Sequence, residues 1–264
     1  MNLQKPSGLP LELDETNFQI KFLSPLKEVP VSVRMFDELK PVLMDPTAIP
    51  QRHEMYYMYR DIFLPNDKHL IKENNVRYDV TILPPSMLGN EFVKTAGHYH
   101  SIVPGTDYAF PEIYEVLAGE ALFLIQKLNE DSNTLERVIA ITASESDKVI
   151  YPPGYGHVIV NIGSKVLVTA NWVSSLVKPD YESVAKKHGL GYYIIKDVNG
   201  GFEAVPNKNY DFLPEIKIIK ANIGTIFSFK KDEPMYVSGV QHPQSLEFLN
   251  NPGKFTKVWS ELIQ

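Results

Sequence analysis

From Glu54 to Val173 the chain breaks into short runs that point to an antiparallel β architecture. "EMYYMYRDIFL", "VRYDVTILPP", "ALFLIQKL", "RVIAITA", "KVIYPP", "HVIVNIG" and "KVLVTANWV" follow one another. Each is rich in β-branched or aromatic residues and bounded by Pro, Gly, Asn or Asp. Many short strands at close spacing predict a barrel or sandwich. The length of 264 residues fits one large all-β domain, or such a domain with appendages.

The flanks read differently. The first 20 residues are rich in Pro, Leu and acidic residues without a clear period and read as an arm. "QIKFL" starts strand-like, and "SVRMFDELKPVL" is a short helical candidate that soon meets Pro46. After Pro179, "DYESVAKKHGL" predicts a short helix ending at Gly189, and "GYYIIKDVNGGFEAVP" a hairpin around Asn199-Gly200. "EIKIIKANIGTIFSF" predicts one or two strands, and "PQSLEFLNNPGKFTKVWSELIQ" carries helical pieces. The division expected is an N-terminal arm with strands over 1–50, a barrel domain over 51–208 and an appendage over 209–264.

Composition narrows the function. Cysteine is absent, so disulfides, thiolate ligands and cysteine nucleophiles are excluded. That absence and the lack of a secretory-type apolar core at the N-terminus lead to a cytoplasmic expectation. No apolar run approaches the roughly 18 residues of a membrane span. A net charge of −6 argues against general nucleic-acid binding.

Two histidines, His98 and His100, stand two positions apart in "KTAGHYHSIVPGTDYAFPEIYEVLAGEALF". On a strand, residues i and i+2 share a face, so two imidazoles project side by side. Two half-exposed surface histidines would have the same spacing. Glu112 opens the run "EIYEVLAGEALFLI", and His157 follows a Pro-Gly turn at the start of another strand. An antiparallel barrel can bring that later strand beside the earlier pair. Three neutral imidazoles and a carboxylate suit Fe(II), Mn(II), Ni(II) or Zn(II). Glu115 has the opposite parity to Glu112 and should face away. His53, His69, His188 and His242 have no ligand-like neighbours at matching spacing, and Trp172 and Trp259 are expected to pack.

Gly97-His98-Tyr99-His100, then Glu112 and Gly119, resembles the first cupin motif. Pro152-Pro153-Gly154-Tyr155-Gly156-His157, with Asn161 four residues on, resembles the second. The gap from His100 to Glu112 is longer than in most cupins, so "SIVPGTDYAFP" reads as a loop inserted at the barrel mouth. Over roughly residues 50–208 the chain is similar to the cupin-type glucose-6-phosphate isomerase family. Thr95, Gly97, His98, His100, Glu112 and Tyr114 carry its signature, and Thr81 precedes Thr95 by fourteen residues as in that family. "YYMYR", with Tyr56 and Tyr59, and the Asp-Tyr segment at Tyr181 extend the likeness. Two positions depart from it: Pro179 stands where archaeal members have a histidine, and Gly154 where they have a tyrosine.

The resemblance implies a double-stranded β-helix (cupin or jelly-roll) barrel with short helices and terminal extensions. It implies one divalent metal per subunit on His98, His100, Glu112 and His157, iron first and Mn, Ni or Zn otherwise. Glu112 and Tyr114 would be catalytic. Tyr56, Thr81, Thr95, Gly97 and Tyr181 would bind a sugar phosphate. The reaction expected is glucose 6-phosphate to fructose 6-phosphate, by an enediolate or a hydride shift, in a cytoplasmic homodimer. A cupin dioxygenase and a non-catalytic sugar-binding cupin are the alternatives. From the residues alone Thr81 and Thr95 are equally well β-branched strand residues, and Tyr114 a structural tyrosine. Regular strand parity would turn Thr95 away from His98, so a bend near Gly97 is required.

Overall fold

The structure is a computed structural model and describes residues 1–131, 133–222 and 226–262. The strands in chain order are β1 (Leu11–Asp14), β2 (Gln19–Phe22), β3 (Val31–Met35), β4 (Glu54–Tyr59), β5 (Val76–Leu83), β6 (Met87–Leu88), β7 (Glu91–Phe92), β8 (Tyr99–His100), β9 (Glu112–Ala118), β10 (Glu120–Leu128), β11 (Leu135–Ser144), β12 (Lys148–Tyr151), β13 (Tyr155–Asn161), β14 (Leu167–Ser174), β15 (Pro179–Asp180), β16 (Tyr192–Lys196), β17 (Phe202–Pro206) and β18 (Lys217–Lys220). One sheet runs β12-β9-β14-β5-β4-β3, and a second runs β13-β10-β11-β18. Their inner faces share one core and form the double-stranded β-helix of a cupin barrel.

Parity explains the large sheet. On β9, Tyr114 and Val116 join the inner core, while Ile113 and Leu117 join a second core on the outer face. On β14, Val168, Ala170 and Trp172 face outward, and on β5 so do Tyr78, Val80 and Ile82. Both faces are covered, which is why β9 and β14 are buried along their whole length and lack apolar–polar alternation. What covers the outer face comes from the two ends of the chain. The β1–β2 hairpin supplies Leu11, Leu13 and Ile20, and residues 226–262 supply Phe229, Met235, Tyr236, Phe248 and Trp259. Trp172 is fully buried there and donates its Nε1–H to the Met235 carbonyl at 3.0 Å. Gly239 leaves it room, since a Cβ would lie 2.8 Å from that nitrogen.

Several sequence expectations change at the edges of the barrel. The N-terminal arm is a hairpin, preceded by one helical turn at Gln4–Ser7. The helical candidate "SVRMFDELKPVL" is strand up to Met35, because Val31–Met35 pair with β4; only Phe36–Leu39 is α-helical. The run from Glu112 to Ile125 breaks into β9 and β10 at Gly119. Its φ is +89°, and a Cβ there would meet the Val166 carbonyl oxygen at 2.6 Å, so glycine is the residue that fits. A helix at Met235–Gln241 carried no clear sequence signal. In "EIKIIKANIGTIFSF" only Lys217–Lys220 forms a strand, in parallel with β11; residues 223–225 lie outside the described residues. The predicted helix after Pro179 is present at Glu182–Lys186, and the hairpin around Asn199-Gly200 joins β16 to β17.

Glu115 faces outward as its parity requires. It takes the Lys148 ammonium at 2.7 Å and the Met235 backbone N–H at 2.8 Å. Lys148 also donates to the Lys231 carbonyl at 3.1 Å. Both side chains are almost wholly buried, so this pair pins the C-terminal segment to the sheet. Lys148→Met would leave a buried carboxylate without its cation, and a loss of about 3–5 kcal/mol in stability is expected. Chemical denaturation checks this, and Glu115→Gln combined with Lys148→Met should recover much of it. A single variant as stable as the parent would overturn the assignment.

Candidate metal centre

A cavity of about 490 Å³ opens at one end of the barrel, walled by the inner face of the large sheet. Such a volume suits a small-molecule ligand. His98 and His157 enter it from neighbouring backbones that exchange both hydrogen bonds, at 3.2 and 3.1 Å. His100 follows His98 at i+2, and the Nε2 atoms of the two lie 3.1 Å apart. Glu112 enters from β9 on the large sheet. Its Oε2 lies 3.5 Å from His100 Nε2 and 3.4 Å from His157 Nε2. All four ligand atoms fall within 4.8 Å of one another.

The surroundings orient this donor set. His100 directs Nδ1 at the Phe110 carbonyl, 2.9 Å away, and His157 directs Nδ1 at the Tyr155 carbonyl, 3.4 Å away. With Nδ1 protonated, each Nε2 lone pair points inward, as metal-binding histidines require. The inserted loop thereby acquires a task. It folds back through Val103 N–H to Tyr108 O at 2.8 Å and Phe110 N–H to Ser101 O at 3.1 Å, and presents the Phe110 carbonyl to His100. Asn171 on β14 donates Nδ2–H to Glu112 Oε1 at 2.7 Å, leaving Oε2 to face the imidazoles.

Burial holds the three imidazoles neutral. His98 and His157 are pushed well below the ordinary histidine range by burial and then by their neighbouring imidazoles, and burial takes His100 down to about 4. The Glu112 carboxyl is pushed up to about 8, by burial first and by nearby Asp79 second. Among the described residues, Glu112 Oε2 and His157 Nε2 are buried with no hydrogen-bond partner, a costly arrangement that a shared cation relieves. Three neutral imidazoles and one carboxylate, with inward lone pairs and orphaned atoms aimed at one point, fit a divalent metal.

The other residues expected at the site line the same cavity: Tyr56, Thr81, Thr95, Gly97, Tyr114 and Tyr181. The bend required near Gly97 is present, at a φ of +75°. Thr95 Oγ1 accepts the Ile159 N–H at 3.0 Å, so the hydroxyl proton remains free to donate. The Tyr56 hydroxyl accepts the Ala96 N–H at 3.2 Å, and the Tyr181 ring lies 5.1 Å from that of His98. Pro179 pairs with His100 across β15–β8 and lines the cavity. Gly154 turns at a φ of +82° with open space beside it.

The sequence reading missed Asn171, Asp79 and three arginines, Arg34, Arg60 and Arg77, on the same wall. The signal available was parity. Arg77 and Asp79 share the face of Thr81, and Arg60 shares that of Tyr56.

A family model described as glucose-6-phosphate isomerase (GPI) matches residues 33–212. The chain belongs to this family. The matched stretch runs from within β3 to just before β18, and so holds the whole candidate centre. Among relatives named glucose-6-phosphate isomerase, one from Sinorhizobium medicae (strain WSM419) is 28% identical over 65% of this chain and 71% of its own length. One from Thermococcus litoralis is 25% identical over 75% of this chain and 93% of its own length. A match to a Rhizobium meliloti (strain 1021) protein, at 30% identity, spans 56% of this chain and only 62% of the relative. Among the described residues, no helix is long and apolar enough to cross a membrane.

Proposed function

We propose that this chain interconverts glucose 6-phosphate and fructose 6-phosphate at the centre formed by His98, His100, Glu112 and His157. The observation that carries the reading is the four-ligand cluster at the head of a cavity that also holds Thr81, Thr95, Gly97 and Tyr114, in a chain of this family. A divalent metal bound by the three imidazoles and Glu112 would act as a Lewis acid on the sugar's C1 and C2 oxygens. Iron is the metal proposed first, with Mn, Ni and Zn to be ranked against it.

The chain's own groups do the rest. Glu112 takes the proton from C2 of the aldose and returns it to C1, while the O2 hydroxyl proton passes to O1, so the ketose forms through an enediol. Asn171 fixes the carboxylate by its other oxygen, so the proton-transfer geometry is set in advance. Tyr114 shares the inner face of β9 and donates its hydroxyl to a substrate oxygen; burial pushes its own pKa well up, which keeps it protonated. Tyr56 and Tyr181 flank the sugar. Thr81, Thr95 and the Gly97 backbone receive the phosphate as neutral donors. A coupled assay of the metal-loaded protein with fructose 6-phosphate tests the reading. No turnover, with oxygen consumed on another substrate, would move the chain to the oxidoreductases.

We also propose a cytoplasmic homodimer. The N-terminal strands find partners within the chain, since β3 pairs with β4 and β1 with β2. What supports the dimer is the open edge that β3 gives the large sheet, with Val31 and Met35 exposed on it. Light scattering should give twice the chain mass, and a monomer at working concentration would exclude the assembly.

A further inference from the structure

Three arginines and two carboxylates, Asp79 and Glu112, stand on the cavity wall. They are not equally engaged. Arg77 Nε donates to Asp79 Oδ2 at 2.8 Å, a nearly buried pair. Arg34 reaches exposed Glu38 at 2.9 Å through one terminal nitrogen, and its Nε is buried without a partner. Among the described residues no carboxylate lies within ion-pair distance of Arg60, although its charge is felt at Asp79, which Arg77 already holds. Its one side-chain hydrogen bond runs from a terminal nitrogen to the Met58 sulfur at 3.1 Å. A thioether is a weak acceptor, and a guanidinium carries five donors in a planar fork. Arg60 is thus a half-buried cation with most of its donors unassigned.

Its position says what it could hold. Met58 is the direct cross-strand partner of Thr81. The guanidinium that reaches the Met58 sulfur thus lines the same cavity as the Thr81 side chain. Arg34 flanks the same spot from β3. It pairs with Tyr56 across the strands, and its guanidinium carbon lies 5.9 Å from the Tyr56 ring centre and 5.4 Å from that of Tyr181. The Tyr56 hydroxyl in turn holds the Ala96 N–H, between Thr95 and Gly97. Two arginines thus share the cavity wall with the threonine and glycine donors. From β9 with Glu112 to β4, which Arg60 directly follows, is three strand spacings, about 14 Å of backbone. Side chains reaching inward from both ends narrow that gap towards the length of a phosphorylated sugar chain.

We propose that Arg60, with Arg34 beside it, is the charged half of the phosphate seat, and that it selects dianionic phosphomonoesters over free sugars. The proposal rests on the isomerase reading of the same cavity. The threonines and Gly97 are neutral and fix where the phosphate sits. Arg60 supplies bidentate, charge-assisted hydrogen bonds to it. Such a contact is alike in ground and transition states, so it lowers KM and leaves kcat nearly unchanged.

The test compares the metal-loaded parent with Arg60→Met, Arg60→Lys and Arg34→Met. Inorganic phosphate binding is measured by calorimetry, and KM and kcat with fructose 6-phosphate. Arg60→Met should weaken phosphate binding and raise KM by about 10- to 100-fold, with kcat within a few-fold. Arg60→Lys keeps the charge but not the fork and should recover part of the loss. Arg34→Met should produce a smaller shift of the same kind. Metal content of one per chain verifies the fold of Arg60→Met, and if that variant fails the comparison passes to Arg60→Lys. Phosphate binding absent from the parent, or unchanged in the Arg60 variants, overturns the proposal and leaves the isomerase reading standing. Phosphate binding that depends on Arg60 in a parent without isomerase activity supports the seat and removes the isomerase reading instead.

Discussion

Glu112→Gln is expected to lower kcat for fructose 6-phosphate by about 10²- to 10⁴-fold, the range for loss of a positioned general base. The substitution keeps the shape of the side chain. The amide oxygen can still accept from Asn171 Nδ2, which now holds Glu112 Oε1 at 2.7 Å. What is lost is a group able to take a proton, together with the negative charge that a bound cation would favour on Glu112. Metal binding should weaken, since one anionic ligand becomes neutral, yet the three histidines remain. Saturating metal therefore separates the two effects. With metal content restored to that of the parent, kcat should stay low and KM should move little, because the proton transfer belongs to the transition state. Recovery of full turnover at saturating metal would mean that Glu112 only holds the ion, and the search for the base would pass to another group on the wall. Tyr114→Phe provides the contrast. It removes one hydrogen bond to substrate and should cost far less than Glu112→Gln.

How much of this was legible beforehand follows from where each signal is written. The barrel strands could be read because their β-branched runs end at Pro, Gly, Asn and Asp, and most lie within a few residues of the expected limits. The four-residue cluster could be read because His98 and His100 have strand spacing and both motifs have fixed offsets. The bend at Gly97 was demanded by parity alone. The arginine wall was not read. Arg34 and Arg77 lie on β3 and β5 and Arg60 directly follows β4, and only the pairing order β5-β4-β3 sets them side by side. A sequence holds no local trace of that order. The helix at Met235–Gln241 escaped for a different reason: "MYVSGVQ" contains β-branched and glycine residues of low helix propensity, and tertiary packing against Trp172 overrides it. The helical candidate that begins beside Arg34 holds only in its second half, over residues 36–42; its first part is strand, since β4 offered an edge to pair with. Parity kept Glu115 off the site but could not supply its partner, Lys148, which comes from another strand of the same sheet.

Chelation is expected to abolish activity and also to lower the melting temperature by roughly 10 °C. The sign follows from linkage. A ligand that binds only the folded chain stabilises it by about 4 kcal/mol at a thousandfold excess over Kd. Each kcal/mol shifts the midpoint of a chain this size by about 2–4 °C. The structure gives a local reason for so large a coupling. Glu112 Oε2 and His157 Nε2 are buried and, among the described residues, without hydrogen-bond partners, and the Nε2 atoms of His98 and His100 lie 3.1 Å apart. Two facing nitrogens that both carry lone pairs repel unless a cation or a proton lies between them. Burial opposes the proton at each of these imidazoles, so the cation is the favoured solution. His157→Ala removes the donor that stands cross-strand from His98 and should leave less than one-tenth of the parent's metal content and turnover. In that variant the chelator should no longer shift the midpoint, because the linkage has gone with the ion. Adding back Fe, Mn, Ni or Zn to the stripped parent should restore both observables together and rank the metals. A parent protein that keeps its midpoint and its turnover after exhaustive chelation, with metal confirmed absent, would sink the metal assignment while leaving the barrel unaffected.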